Sequence, residues 1–144
     1  MKTVLTVAGS DPSGGAGIQA DIKTITAHGL YATSAITALT VQNTLGVSRV
    51  EPVPVDLVAQ QIDCVVGDIR PDAVKIGMLC NAEIVQAVAQ ALAHGQAECI
   101  VIDPVMISTS GHRLLDQEAV QWMKRKLFPM AQLITPNLPE AEAL

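Results

Sequence analysis

An α/β fold is predicted for this sequence: a mostly parallel central sheet with helices on both faces. Three observations predict it. Short, nearly continuous apolar runs alternate with segments of helical period, the pattern of parallel strands covered on two sides. Turn-forming residues close the runs, at Gly9-Ser10-Asp11-Pro12, Gln42-Asn43, Gly77-Met78, Asp103-Pro104 and Pro136-Asn137. Aromatics make up only 2% of the 144 residues, so the core between the layers is aliphatic.

The elements follow in order. Thr3 to Ala8 is a β-branched strand that meets a loop at Gly9. Ala16 to His28 carries Ile18, Ile22 and Ile25 at helical spacing and stops at Gly29. Ala32 to Val41 is a second strand. Val47 to Val55 alternates but contains Pro52 and Pro54, which makes it an edge strand or flap. Val55 to Asp68 is helical, with Leu57, Val58, Ile62, Val65 and Val66 on one face. Ala73 to Ile76 is a strand. Asn81 caps the next helix, whose stripe is Ile84, Val85, Val88 and Leu92 and whose end is Gly95. Cys99 to Ile102 is a strand. Asp116 opens a helix through Val120, Met123 and Leu127, stopped by Pro129. Gln132 to Thr135 is the last strand, and Leu138 to Leu144 are the first turns of another helix.

Composition excludes several classes. Hydrophobic residues are 49% and charged residues 16%, which excludes intrinsic disorder. The net charge of −5 gives no basic footprint for nucleic acid or an anionic membrane. No apolar run reaches the length of a membrane span, and the run after Met1 is shorter than the roughly 7–15 residues of a signal h-region. The three cysteines, Cys64, Cys80 and Cys99, form neither a CxxC pair nor a zinc pattern. A reduced, cytoplasmic setting is the simple reading. Cys64 and Cys99 read as small core residues, Cys80 as the more exposed.

Ligands of open α/β sheets bind beyond the carboxyl ends of the strands, where the polar residues here gather. Gly14-Gly15-Ala16-Gly17 lies between a strand and a helix and is either a backbone approach to a ligand or a tight turn. Asp21 sits near the ligand end of the first helix. Gln42 offers donors and an acceptor to a heterocycle edge. Met78 and Met106 stand at ligand-end turns as an apolar wall or as gap-fillers. Asp103 is a turn former or holder of a metal-bound water. Asn137 and Glu140, three apart, face a ligand or cap the last helix. His28 and His94 end helices, while His112 lies in the loop Ser108 to His112, a candidate lid.

Together AGSDPSGGAGIQADIKT (8–24), ITALTVQNT (36–44), DAVKIGML (72–79), VIDPVMISTSGHRLL (101–115) and LITPNLPEAEAL (133–144) resemble the hydroxymethylpyrimidine/phosphomethylpyrimidine kinases of thiamine biosynthesis, in the ribokinase-like superfamily. The resemblance implies ATP- and Mg²⁺-dependent phosphorylation of 4-amino-5-hydroxymethyl-2-methylpyrimidine and then of its monophosphate. It implies that Gly9, Asp21 and Gln42 contact the pyrimidine and that Met78 and Val105 line its pocket. Asn137 and Glu140 match the superfamily's NxxE motif, which helps hold nucleotide phosphates and Mg²⁺, the metal through a water on Glu140. A homodimer, with the strands near Val47 to Val55 at the contact, is also implied. The family's Gly-Thr-Gly-Cys type anion hole does not occur in this sequence. The sequence also stops within a helix. It is therefore read as the substrate-binding half of a kinase domain, truncated after about the first half and nearly inactive alone. A non-catalytic pyrimidine-binding remnant and a pyridoxal kinase-like enzyme are the alternatives.

Overall fold

The computed structural model describes residues 1–107 and 114–144. Strand β1 (Thr3–Ser10) leads into helix α1 (Gly17–Ala27), then β2 (Tyr31–Asn43), β3 (Gly46–Pro52) and α2 (Val55–Asp68). Next come β4 (Ala73–Ile76), α3 (Ala82–His94), β5 (Ile100–Ile102), α4 (Gln117–Trp122), β6 (Ala131–Ile134) and α5 (Leu138–Ala143). One six-stranded sheet has the order β3-β2-β1-β4-β5-β6. All pairs are parallel except β2 with β3. The proline-bearing β3 is the edge expected of it, because proline cannot donate to a ladder.

From β1 the chain steps outward to β2, then returns across β1 to β4. Right-handed crossovers therefore put α1 on one face and α2, α3 and α4 on the other. The faces are unequal. Leu5, Val7, Val74, Ile76, Ile100 and Ile102 meet Val58, Ile62, Ile84, Val85, Val88 and Leu92 in the main core. Full burial of each such side chain contributes about 1.5–3 kcal/mol. On the opposite side α1 buries only Ile18.

Local signals explain most boundaries. Gly29 takes φ +72° after α1, a conformation without steric cost only for glycine. The Asn81 and Asp116 side chains accept the Ile84 and Ala119 amides at the starts of α3 and α4, relieving orphan N–H groups.

Three expectations are corrected. Leu57 is exposed, since the buried stripe of α2 is Val58 and Ile62. Cys64 and Cys99 are exposed while Cys80 is half-buried, the reverse of the expected order. Cys64 lies two residues past Ile62, which rotates it about 200° from the buried stripe. Cys99 precedes β5 at φ +51°. The segment after Asp116 is also no single helix. It passes from α4 into a π-helical turn over Met123–Leu127 and a 3-10 turn over Phe128–Met130. These irregular turns keep Met123 and Leu127 buried ahead of Pro129. Among the described residues no helix is long and apolar enough to cross a membrane.

Candidate functional site

Residues from six separate stretches converge on a cavity of about 330 Å³ at the carboxyl ends of β1, β2, β4 and β5. Gly9, Asp21, Gln42, Met78 and Val105 all line it, as do Asp103, Thr40, Val47 and Lys75. The structure thus brings together every residue expected at the pyrimidine site. Met106 does not line this cavity. It is buried in the main core, so gap-filling is its role.

The floor is set by backbone. A Cβ on Gly9 would run into the terminal methyl of Met78, so the absent side chain at position 9 lets Met78 lie over the strand end. Met78 is held in turn by Thr37, a fully buried residue whose hydroxyl donates to the Met78 carbonyl at 2.6 Å. β2 runs past the rest of the sheet and pairs with β3 as a hairpin, which carries Gln42 to the cavity rim. The Thr40 hydroxyl lies 2.8 Å from the Ser10 carbonyl and 3.2 Å from Gln42 Oε1. A hydroxyl has one proton to donate, and the nearer carbonyl takes it. Gln42 is thereby left with most of its amide capacity for a ligand.

The glycine-rich loop resolves as a turn. Asp11, 3% exposed, accepts the amides of Ser13, Gly15 and Ala16 and the Ser13 hydroxyl. Three loop N–H groups, those of Ser13, Gly15 and Ala16, are thus occupied by the protein's own carboxylate. Burial pushes the Asp11 carboxyl up, but the Ser13, Ala16 and Gly15 donors outweigh it and hold the group below the usual range.

Asp21 reaches from α1 to the sheet. Its Oδ2 accepts the Thr6 hydroxyl at 2.6 Å and the Lys75 ammonium at 3.0 Å. Asp103 lines the same cavity. Burial pushes its carboxyl up, Lys75 pulls it down, and the charges of Glu140 and Asp21 raise it further. Lys75 and Thr6 were missed in the sequence. The available signal was a lysine inside the four-residue apolar strand AVKI, where a charge is costly unless paired.

Asn137 and Glu140 form a full capping box on α5. Asn137 Oδ1 accepts the Glu140 amide at 2.9 Å, and Glu140 Oε2 accepts the Asn137 amide at 2.9 Å. The helix-capping role therefore exists whatever else they do. Glu140 keeps Oε1, and its charge is felt at Asp103. Two carboxylates with oxygen donors suit Mg²⁺, which keeps several waters and takes one or two carboxylates beside substrate phosphates. Among the described residues no group of three or more His, Cys, Asp or Glu could cage an ion, so an ion here would be held mainly through water.

The other titratable candidates stand apart. His28 and His94 sit at the ends of α1 and α3. Burial, with Asp116 nearby, pushes the Cys80 thiol up, the wrong direction for a nucleophile. His112 and the Ser108 to His112 loop lie outside the described residues.

The family model described as Phosphomethylpyrimidine kinase matches residues 11–144. A hydroxymethylpyrimidine/phosphomethylpyrimidine kinase from Escherichia coli is 54% identical over 146 aligned residues, covering 100% of this chain and 55% of that protein. The crystal structure of a phosphomethylpyrimidine kinase from Clostridium difficile superposes with a TM-score of 0.92 at 50% identity, over 99% of this chain and 62% of that one. A pyridoxal kinase from Bacillus subtilis, solved with ADP, gives a TM-score of 0.87 at 38% identity, over 100% of this chain and 53% of that one. The chain spans about half the length of the curated kinases it matches.

Proposed function

The chain belongs to the phosphomethylpyrimidine kinase family, and we propose on that premise that it forms the pyrimidine side of an ATP-dependent kinase site. The substrates are 4-amino-5-hydroxymethyl-2-methylpyrimidine and its monophosphate. One observation carries the reading: Gly9, Asp21, Gln42, Met78 and Val105, distant in sequence, line one cavity at the carboxyl edge of the sheet.

The chemistry of these residues suits an aminopyrimidine. The Asp21 carboxylate accepts from an exocyclic amino group, and the Gln42 amide pairs with the ring edge. Met78 and Val105 supply the flat apolar walls. This arrangement holds the ring so that its hydroxymethyl oxygen faces the strand ends, where Asp103 stands. In the first transfer, that oxygen bonds to the γ-phosphorus as the phosphorus–oxygen bond to ADP breaks, and the hydroxyl proton passes to solvent; in the second, an oxygen of the monophosphate is the nucleophile. Positioning and charge stabilisation are the main catalytic contributions to such a step. Asp103 and Glu140 would hold Mg²⁺ through water, and the ion when bound would neutralise phosphate charge. The first-half domain assignment, a homodimer with the strands near Val47 to Val55 at the contact and a cytoplasmic location belong to the same proposal.

The test uses the gene product that carries this sequence. It should release ADP from ATP with the hydroxymethylpyrimidine and turn over pyridoxal more slowly. Gln42→Leu should weaken pyrimidine binding about tenfold, the effect of one lost ligand hydrogen bond of about 1.4 kcal/mol. Absence of ADP release with either pyrimidine would overturn the reading. Faster turnover of pyridoxal would favour the pyridoxal kinase alternative, and pyrimidine binding without turnover the non-catalytic one.

A further inference from the structure

Thr6 and Lys75 are Cα partners across the parallel β1–β4 pair. Residues opposite one another in register project to the same sheet face, and here that face is the one under α1. Asp21 comes down from α1 to meet both. The Thr6 hydroxyl at 2.6 Å and the Lys75 ammonium at 3.0 Å converge on the same atom, Oδ2. Among the described residues Oδ1 has no hydrogen-bond partner within the protein, and Asp21 lines the cavity. The Lys75 side chain is 28% exposed and that of Asp21 16%. A pair this poorly solvated contributes little or nothing net to stability by itself. Its value lies in where it leaves the carboxylate.

We propose that Lys75 is the positioning residue for Asp21: with Thr6 it ties down Oδ2, so that Oδ1 alone is offered to an N–H donor of the bound heterocycle. The inference rests on the pyrimidine reading above and deepens it, because it assigns the means by which the site selects a ring bearing an amino group. Two donors on one oxygen fix the carboxylate plane. Without Lys75 the carboxylate can rotate about its last bond, since it keeps only the Thr6 donor on Oδ2.

The test measures calorimetric binding, without ATP, to the full gene product. Two ligands are compared: the 4-aminopyrimidine and its analogue with hydrogen in place of the amino group. Lys75→Met should bind the amino ligand about tenfold more weakly, the size of one charge-assisted hydrogen bond. Its affinity for the des-amino analogue should stay within about twofold of wild type. In an Asp21→Asn background, Lys75→Met should make no further difference, since Lys75 acts only through Asp21. A variant that loses both ligands equally, or neither, overturns the proposal. If Lys75→Met does not fold, Thr6→Val removes one donor from the same oxygen and should show the same selective loss at smaller size. Wild-type protein that binds no pyrimidine would overturn the proposed function as well. Wild-type binding with an unselective Lys75 variant would overturn this inference alone.

Discussion

The Asp11 carboxylate accepts the Ala16 amide at 2.8 Å, and so closes the glycine-rich loop upon itself. The residue before α1 has no side-chain cap of its own. Asp11, five residues upstream, instead holds the amide of that N-cap residue and the one before it. The loop is thus a rigid entrance to α1, and through α1 it fixes the height of Asp21 above the sheet.

Asp11→Ala should therefore lower stability by about 1–2 kcal/mol, since three loop amides and the Ser13 hydroxyl lose a charged acceptor. Thermal melting checks this. The pH dependence has a definite sign. The folded carboxyl is held below its usual range, so its contribution is complete above the unfolded value near 4 and is lost as pH falls through the folded value. The melting difference between wild type and variant should narrow below about pH 4 and stay constant above about pH 5.

Gly17→Ala and Gly9→Ala should fail in different ways. Gly17 has φ +56°, and a Cβ there would strike the Gly9 carbonyl oxygen. Neither the backbone nor the carbonyl can yield, so a loss of about 2 kcal/mol or more is expected. A Cβ on Gly9 meets the end of the Met78 side chain instead, which can swing aside into the cavity. Gly9→Ala should keep nearly the wild-type melting temperature and lose pyrimidine affinity. Equal melting losses in both variants would contradict this account.

Asp103→Asn should trade stability against activity. Burial first, then the charges of Glu140 and Asp21, raise the Asp103 carboxyl despite Lys75. An acid raised in the fold weakens stability as pH climbs from its unfolded value through its folded one. The amide avoids that cost, so the variant should melt higher at neutral pH and match wild type below the unfolded value near 4. Phosphoryl transfer should fall at the same time. A variant less stable than wild type at neutral pH would refute the electrostatic assignment.

Leu133 should govern the behaviour of the 144-residue chain in solution. Among the described residues β6 pairs only with β5, and Leu133 is 55% exposed beside its register partner Val101. An open strand carrying apolar side chains invites pairing with another copy. Light scattering should find this chain self-associated, and Leu133→Lys should reduce the association. A monodisperse wild-type monomer would count against the expectation.

The sequence by itself determined the layers and most elements. Strand and helix periodicity depends on neighbours within one segment, so β1, α3 and the proline-marked edge β3 were legible there. The motifs also named Gly9, Asp21, Gln42, Met78 and Val105. What the sequence could not show was how groups from different segments share their bonding capacity. The structure also selected, among local readings the sequence left open, the cap that Asn137 and Glu140 form on each other and the turn in which Asp11 takes the loop amides. The β1–β4 register likewise decided that Thr6 and Lys75 meet on one oxygen of Asp21. Exposure of Cys64 and Leu57 was decided in the same way, by which flank of α2 turned to the sheet. Hydrogen bonds and burial are set by distances across the fold, and local pattern carries no record of them until the register is fixed.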